Sequence, residues 1–285
     1  MTYVLFDIGG TNTRVTVSED LTKFGEIKKF KTSGDYKKGV KAIVDAAHEL
    51  LDGKPVEGAA GGIRGILNED KTGLDKDSIL DSWAEKPLAD DLCKGLKCKD
   101  GVYLENDTAI IGLGEYHFGA GEHADIMVYH TVSTGVGGAK IESGEVDVAA
   151  FGFEPGHQIL DIDRTVLGED VPPTLENLVS GAAVKRRMGT EPYEIPQSDL
   201  IWDELAGYLA QGLRNTIMYW SPEVIVLGGS MIVGDPRILL DDIRKHTNEA
   251  LDGFVPTPLI VDAKLGDDGG LYGAMVLLQH RLGQD

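Results

Sequence analysis

The sequence predicts an α/β fold built from two domains of similar design. Apolar strand-like runs alternate with amphipathic helical segments along the chain, a pattern typical of α/β proteins. Two units repeat one plan, YVLFDIGGTNTRVTVS at 3–18 and MVYHTVSTGVGGAKIE at 127–142: an apolar strand, a glycine-rich turn and an alternating strand. Each unit is predicted to be a β-hairpin whose turn needs glycine because the backbone there takes a positive φ. With 285 residues, the chain is long enough for two medium-sized domains.

The other elements follow from apolar periodicity and capping signals. Residues 36–53 predict a helix that ends at Gly53, and residues 198–220 predict a long helix that begins at a Ser198 cap. An apolar run ending in YLEN, followed by DTAIIGLGE, predicts a junction between a strand and a helix. The remaining predicted elements are a strand at 222–230, a helix at 236–251, a strand at 258–265 and a closing helix at 271–282.

Composition excludes several classes of partner. The formal net charge of -20 repels nucleic-acid phosphates and anionic lipid alike. No apolar run reaches membrane-spanning length, and the N-terminus lacks the basic region of a secretory signal. We therefore expect a soluble cytoplasmic protein with no nucleic-acid or membrane partner. Cys93 and Cys98 lie five apart on a predicted helix, which places them on different faces and makes them two unremarkable thiols.

Two glycine-rich turns are candidates for binding phosphate. In DIGGTNTR (7–14), adjacent glycines let backbone amides approach an anion, and Thr11 and Thr13 offer hydroxyl groups. Asp7 is a candidate ligand for Mg²⁺, directly or through water, because that ion prefers oxygen ligands. VSTGVGGAK (132–140) presents Ser133 and Thr134 beside three glycines. The alternative for both is a plain hairpin turn with a polar rim, and neither is a Walker A loop.

The junction at Glu105-Asn106-Asp107 also has two interpretations. Polar residues at the start of a helix are commonly N-caps. The same position could hold a carboxylate where a substrate hydroxyl must lose its proton.

Several motifs together resemble the ROK family of sugar kinases. DIGGTNTR, ENDTAIIGLGE, VSTGVGGA, FEPGH and TLENLVSG occur in the order found in that family, and the resemblance extends from Tyr3 to LGDDGGLYGAM (265–275). The resemblance implies the two-domain actin-like ATPase fold, which is ribonuclease H-like, with an interdomain cleft. The smaller domain would comprise 1–112 plus 271–285, and the larger one 113–270.

The resemblance also implies an activity. Members transfer the γ-phosphoryl group of ATP, with Mg²⁺, to a sugar hydroxyl, here expected at C6 of a hexose such as glucose. N-acetylmannosamine, N-acetylglucosamine and fructose are the alternative substrates, and a homodimer is a further expectation because members are often dimers. The acceptor and ATP would be the partners of this chain.

Matching the family motifs assigns roles to individual residues. Asp107 becomes the catalytic base. The implied sugar-binding residues are Asn106, Glu154, His157, Glu176 and Gly65. The implied nucleotide-binding residues are Asp7 (with Mg²⁺), Gly9, Gly10, Thr11, Thr13, Arg14, Thr134, Gly135, Gly228 and Gly229.

The sequence departs from the family pattern in three places. Many members bind a structural zinc between FEPGH and TLENLVSG, but residues 159–176 contain no cysteine and Thr174 stands where the pattern has one. No zinc is therefore expected, and other packing must order this loop. In GGIRG (61–65), Arg64 replaces the usual proline. It could meet a phosphate or a carboxylate, or extend into solvent. Ile79 replaces a polar residue and is not expected to bind sugar.

Three other functions fit the sequence less well than the kinase does. A ROK repressor would carry a helix-turn-helix domain ahead of the first strand, which here begins at Tyr3. A polyphosphate-dependent glucokinase is disfavoured by the acidic charge. A catalytically inactive sugar-binding protein would be expected to lack Asp107 or a phosphate loop, and both are present.

Overall fold

A computed structural model describes residues 1–77, 79–149 and 152–283. The chain forms two compact units. One contains Met1–Phe118, Val148–Gly152 and Asp267–Asp285, and the other contains Gly119–Asp147 and Phe153–Gly266. Gln284 and Asp285, which the sequence assigned to the smaller domain, lie outside the described residues.

Strands and helices alternate through both units. The strands are β1 (Tyr3–Ile8), β2 (Asn12–Ser18), β3 (Lys28–Lys31), β4 (Gly58–Ile63), β5 (Ile66–Leu67), β6 (Leu74–Lys76), β7 (Val102–Asn106), β8 (Ile126–Val132), β9 (Val136–Glu142), β10 (Glu145–Val146), β11 (Val224–Gly228) and β12 (Leu259–Asp262). The helices are α1 (Tyr36–Leu51), α2 (Leu88–Leu96), α3 (Asp107–Phe118), α4 (Leu175–Val179), α5 (Gly181–Met188), α6 (Ile201–Trp220), α7 (Ser230–Val233), α8 (Leu240–Leu251) and α9 (Gly269–Leu282).

The first unit is built on a sheet with strand order β3-β2-β1-β4-β7. β1 and β2 form the predicted antiparallel hairpin, whereas β4 and β7 run parallel to β1. Ile8 pairs with Ile63, which in turn pairs with Asn106, so these three strands end in register. The residues that follow them therefore emerge at one edge of the sheet, where ligands of open α/β sheets commonly bind.

Helices α3 and α9 pack closely beside this sheet through glycine. A Cβ atom on Gly273 would lie 1.7 Å from the backbone oxygen of Ile110, and one on Gly114 would lie 2.5 Å from the oxygen of Gly269. β4 has the sequence GAAGGI and is buried throughout. A Cβ on Gly62 would lie 2.6 Å from the Ile110 side chain. Small residues thus bring α3, and with it Asp107, tightly against the sheet.

The second unit repeats the design with strand order β10-β9-β8-β11-β12. β8 and β9 form the second predicted hairpin, and β11 lies parallel to β8 with Thr131 opposite Gly228. The long helix α6 covers the sheet and buries Leu205, Leu209 and Leu213 completely. The α/β fold predicted from alternation and the two hairpins is confirmed.

Several predicted boundaries were wrong. The long helix begins at Ile201 rather than Ser198, because the Asp199 side chain accepts the Ile201 N–H and ends the preceding turn. α8 begins at Leu240 rather than 236, since the residues before it fold back so that Ile238 N donates to Met231 O. α9 starts at Gly269, two residues before the predicted 271.

The prediction that both cysteines lie on one helix, facing apart, was also wrong. α2 ends at Leu96, and Lys97 takes a left-handed conformation (φ 58°) that turns the chain back. Cys93 Sγ lies 3.6 Å from the backbone oxygen of Cys98, and burial raises the pKa of Cys98 to about 12. Both thiols are free, and the raised pKa makes Cys98 a poor nucleophile.

His130 gives the second unit a defined response to acid. The residue is fully buried on β8, its Nε2 lies 3.1 Å from Thr216 Oγ1, and burial lowers its pKa from 6.5 to about 4. His130 therefore binds a proton more readily in the unfolded chain than in the folded protein. The free energy of unfolding consequently decreases as pH falls from 6.5 towards 4. From these two pKa values, the loss is about 2 kcal/mol at pH 5.

We expect His130→Gln, which keeps a group able to bond Thr216, to remove that part of the acid sensitivity. Urea unfolding of both proteins at pH 7.5 and pH 5 measures it. Acidic side chains titrate equally in the two proteins, so the difference isolates His130. Equal losses of stability on acidification would contradict the assignment.

Within the described residues, none of the helices is long and apolar enough to cross a membrane.

Candidate active site

Asn106 and Asp107 divide two tasks at the junction of β7 and α3. Asn106 Oδ1 accepts the N–H groups of Thr108 (2.9 Å) and Ala109 (3.2 Å), so Asn106 caps the helix. Its Nδ2 donates to the backbone oxygen of Gly65 at 3.1 Å. Asp107 Oδ1 accepts from Thr108 N at 2.8 Å. The capping interpretation therefore belongs to Asn106, and the Asp107 carboxylate is not needed to begin the helix.

The surroundings of Asp107 make its carboxylate a better base. Part of the side chain reaches the surface, yet protein encloses it enough that burial raises its pKa above the usual range. The positive charge of Arg64 and the bonds from Thr108 oppose this rise, while the charge of Asp77 adds to it. A carboxylate with a raised pKa holds an abstracted proton more readily.

The first glycine turn (residues 9–11) joins β1 to β2 beside this junction. Gly9 N donates to Asn12 O at 3.0 Å. The Thr32 hydroxyl stabilises the turn by donating to Gly9 O at 2.7 Å. Thr11 is exposed at the tip. Thr13 is buried, and its hydroxyl lies 2.9 Å from that of Thr32. Of the two predicted threonines, Thr11 is thus the one whose side chain faces solvent.

The predicted reason for these glycines was wrong. Neither Gly9 nor Gly10 has a positive φ, and neither does Gly135 in the second hairpin. A charged side chain lies close to the turn in each hairpin. A Cβ on Gly10 would lie 2.8 Å from Arg64 Nη1, and one on Gly135 would lie 2.6 Å from Glu176 Oε2. Both contacts are with the outer atoms of long side chains that are able to shift, so space alone does not require glycine at either position.

Asp7 and Arg14 form an ion pair at the end of the first hairpin. Arg14 Nη1 lies 3.2 Å from Asp7 Oδ2, and Arg14 Nη2 lies 2.6 Å from Asp267 Oδ2. Burial, followed by the charge of Asp107, raises the pKa of Asp7 to about 7 despite the opposing effect of Arg14. A Cβ on Gly270 would lie 2.9 Å from Asp7 Cγ, so this glycine makes room for the carboxylate.

Arg64, which the sequence left between three interpretations, binds a carboxylate. Its Nε donates to Asp77 Oδ2 at 2.9 Å, and the Asp77 side chain is only 4% exposed. The guanidinium packs against Gly10 and acts electrostatically on Asp107. Arg64 therefore lies against the first glycine turn and close enough to Asp107 for their charges to interact.

The second unit holds a matching arrangement at the ends of β8 and β11. The second glycine turn (residues 133–135) is closed by a bond of 2.8 Å from Ser133 N to Gly135 O. Ser133 Oγ lies 3.1 Å from Ser230 Oγ, which follows β11 and begins α7. Ser133 O also accepts Gly181 N at 2.7 Å, which fixes the start of α5 beside the turn.

A cavity of about 440 Å³ opens beside this second turn. Its lining includes Ser133, Thr134, Lys185, Tyr193 and Ser230. Such a volume is typical of small-molecule sites.

Gly228 and Gly229 lie just before Ser230 and are constrained by protein atoms. A Cβ on Gly228 would lie 2.3 Å from Tyr129 Oη, and Gly229 has φ 88° with a Cβ position 2.3 Å from Val132 O. Packing therefore accounts for both glycines, and their contact with a nucleotide stays a prediction.

The FEPGH and TLENLVSG motifs meet at Val136, the first residue of β9. Glu176 Oε2 accepts Val136 N at 2.9 Å. A Cβ on Gly156 would lie 2.3 Å from Val136 O, so that turn also packs on the strand. Glu154 and His157 flank Gly156 with exposed side chains. Glu176 and the turn that carries Glu154 and His157 therefore both contact the first residue of β9.

Comparison with known proteins identifies the family of this chain. The sequence profile of the ROK family matches residues 3–281. The chain belongs to the ROK family.

Several curated relatives are sugar kinases by name. The glucokinase of Thermotoga maritima is 26% identical over 311 residues, covering 97% of each chain. The fructokinase of Pediococcus pentosaceus is 29% identical over 64% of this chain and 65% of its own. The N-acetyl-D-glucosamine kinase of Mannheimia succiniciproducens is 26% identical over 95% of this chain and 97% of its own.

Solved ROK structures share the fold. A ROK hexokinase from Thermus thermophilus superposes with a TM-score of 0.85 at 24% identity, covering 100% of both chains. A ROK glucokinase from Streptomyces griseus, solved with glucose and AMPPNP, superposes with a TM-score of 0.78 at 25% identity, covering 97% of this chain and 99% of its own. The actin-like ATPase fold implied by the sequence is confirmed.

In this ROK protein, a carboxylate orders the loop that carries zinc in many members. Asp161 is buried, and its Oδ2 accepts Leu167 N at 2.7 Å and Val166 N at 3.3 Å. Arg164 Nη1 donates to Val171 O at 2.7 Å across the same loop. Thr174, at the expected cysteine position, caps α4 by accepting Asn177 N. Among the described residues no cluster of three or more His, Cys, Asp or Glu side chains is arranged to hold a metal ion.

Sequence reasoning missed the partners of the site residues. Asp77, Asp161 and Asp267 each fix a charged or backbone group near the site, and none stands in a motif that announces this role. Asp267 lies in LGDDGG, part of the family resemblance, but nothing in that run predicts an ion pair with Arg14. For Asp77 and Asp161 the sequence gives no signal.

Proposed function

We propose that this ROK protein is an ATP-dependent sugar kinase that phosphorylates the C6 hydroxyl of a hexose, with glucose as the first candidate. The observation that carries this proposal is the release of Asp107 from helix capping by Asn106, at the sheet edge shared with the first glycine turn. A carboxylate there is available to accept a proton. The glucokinase, fructokinase and N-acetyl-D-glucosamine kinase relatives support the class of reaction.

In the proposed reaction, Asp107 is the general base. The hydroxyl oxygen of the sugar forms a bond to the γ-phosphorus of ATP as the bond from that phosphorus to the bridging oxygen breaks. The hydroxyl proton moves to the Asp107 carboxylate, and ADP leaves with the bridging oxygen. Phosphoryl transfer otherwise requires positioning and neutralisation of charge, which the backbone amides of the glycine turns would supply.

The remaining residues would bind the two substrates. Sugar hydroxyls would pair with the exposed Glu154 and His157, with Glu176, and at the junction with Asn106 and the Gly65 backbone. Arg14 would act indirectly, by holding Asp7 and Asp267 in place. The nucleotide would occupy the cavity beside Thr134.

Asp7 fits a role in holding Mg²⁺. Its pKa of about 7 shows that Arg14 alone does not offset burial and the neighbouring carboxylates, so a cation at this place would relieve an excess of negative charge. A single carboxylate is a normal contribution, because Mg²⁺ in such sites is held mainly by water and substrate phosphates. When bound, the ion would neutralise phosphate charge.

A panel of sugars tests the proposal. Purified protein with Mg-ATP is offered glucose, mannose, fructose, N-acetylglucosamine and N-acetylmannosamine, and ADP release is measured with a coupled assay. We expect turnover of at least one sugar, with glucose giving the highest kcat/KM. A protein that is folded by circular dichroism yet releases no ADP with any sugar would overturn the proposal. The highest kcat/KM for an N-acetylhexosamine or fructose would replace the substrate and keep the reaction.

A further inference from the structure

We propose that Arg64 is a catalytic residue of this reaction, whose terminal guanidinium nitrogens bind the phosphoryl group during transfer. The inference rests on the proposed function. It assigns a role to a residue at which this chain departs from the family pattern, where proline is usual.

The backbone places Arg64 at the phosphate-binding edge of the first unit. Arg64 follows Ile63, the last residue of β4, and its N–H donates to Ile8 O at the end of β1 (3.1 Å). The side chain then extends over the first glycine turn. A Cβ on Gly10 would lie 2.8 Å from Arg64 Nη1 and 3.0 Å from its Cδ. The guanidinium therefore lies against the backbone that would hold the phosphates.

Asp77 holds the guanidinium at a defined angle while leaving its outer edge open. The carboxylate of Asp77 accepts the N–H groups of Ile79 (2.6 Å) and Leu80 (2.5 Å) through Oδ1, and Arg64 Nε through Oδ2. A carboxylate fixed by three donors is a rigid anchor. Across residues 1–77, 79–149 and 152–283, Arg64 Nη1 and Nη2 have no hydrogen-bond partner, and the Arg64 side chain is 31% exposed.

The distribution of charge favours an anion as the missing partner. Asp7, Asp77 and Asp107 surround this edge, and Arg14 already binds both Asp7 and Asp267. Arg64 is a cation beside the turn with donors to spare. A guanidinium presents two parallel N–H groups that match the spacing of phosphate oxygens. A phosphoryl group leaving ATP towards a hydroxyl held at Asp107 would carry its charge into the space between Arg64 and that base.

The step itself is the transfer described above, with no additional reactant. As the bond to the sugar oxygen forms and the bond to the bridging oxygen breaks, charge accumulates on the oxygens of the transferring group. Arg64 would donate hydrogen bonds to those oxygens and keep all its protons, while the hydroxyl proton goes to Asp107. An arginine acting in this way affects the rate of transfer more than the binding of either ground-state substrate.

Arg64→Gln, Arg64→Lys and Arg64→Ala test this role. We expect Arg64→Gln to lower kcat at least about 100-fold, while the KM for the sugar changes by less than about threefold. Arg64→Lys, which keeps the charge but loses the fork, should retain part of the rate. Added guanidinium ion at non-denaturing concentration should restore activity to Arg64→Ala and leave the wild type unchanged. Calorimetry should show weaker binding of AMPPNP to Arg64→Gln and unchanged binding of ADP.

Four results would overturn the inference in folded protein. The first two are a kcat of Arg64→Gln within about threefold of wild type and a rise in the sugar KM alone. The third is a shift in the acid limb of the pH profile with no loss of rate at the plateau. The fourth is an equal weakening of ADP binding and AMPPNP binding. The third would mean that Arg64 acts only through Asp107. If Arg64→Gln unfolds, Arg64→Lys and guanidinium rescue decide. Failure of the wild type on the sugar panel would instead refute the proposed function, and the nucleotide titrations would still report on Arg64.

Discussion

Asp107→Asn is expected to lower kcat by about 10²–10⁴-fold, the range for loss of a general base. The KM for the sugar should stay within about threefold of wild type, because an amide of the same shape can still accept the N–H of Thr108 and face a hydroxyl. Folding should be preserved, since Asn106 continues to cap α3. Steady-state kinetics with the best sugar of the panel, together with sugar binding by calorimetry, measures both quantities.

Asp45→Asn is the matched control for this substitution. It removes a carboxylate from the same unit, but Asp45 lies exposed on α1 and pairs only with Lys41 within the described part of the chain. Its rate should equal that of the wild type. A turnover of Asp107→Asn close to that of the control would show that another group takes the proton.

Gly273→Ala is expected to cause the largest loss of stability. The added methyl group would be placed 1.7 Å from the backbone oxygen of Ile110, a contact that no side-chain rotation relieves. Helices α3 and α9 must then separate, at a cost of about 3 kcal/mol in the free energy of unfolding, or about 10 °C in melting temperature. Since α3 carries Asp107, the surviving folded protein should also lose activity.

Gly207→Ala serves as the control for glycine replacement in a helix. Gly207 lies inside α6 and a Cβ there meets nothing within 4 Å. The alanine should therefore stabilise the protein by about 0.5–1 kcal/mol through helix propensity. Urea unfolding compares both variants with the wild type. Equal stability of Gly273→Ala and wild type would contradict the packing of α3 on α9.

The fold could be predicted because its signals are local. A short run of residues predicts each of these elements: the hairpins β1–β2 and β8–β9, the strand β11 and the junction at Asp107. Helix starts were less accurate, because Asp199 and the turn before α8 act through hydrogen bonds that periodicity does not report.

The interactions around the site could not be predicted because they join distant parts of the chain. Asp267 reaches Arg14 only after the chain returns to the first unit, and Arg64 packs beside Gly10, which does not take a positive φ. A glycine in a sequence can indicate either a neighbouring atom that a side chain would meet or a backbone with a positive φ. The sequence alone does not distinguish the two.

The bond between Glu176 and Val136 has a consequence for how the two substrates influence each other. The Glu176 carboxylate, which we propose to bind a sugar hydroxyl, already holds Val136 beside the second glycine turn, and that turn lines the cavity proposed for the nucleotide. A bound sugar that shifts Glu176 changes its hydrogen bond to Val136 and so alters the second glycine turn. The resulting change in nucleotide affinity is reciprocal by thermodynamic linkage. If the sugar changes nucleotide affinity by a given factor, the nucleotide changes sugar affinity by the same factor.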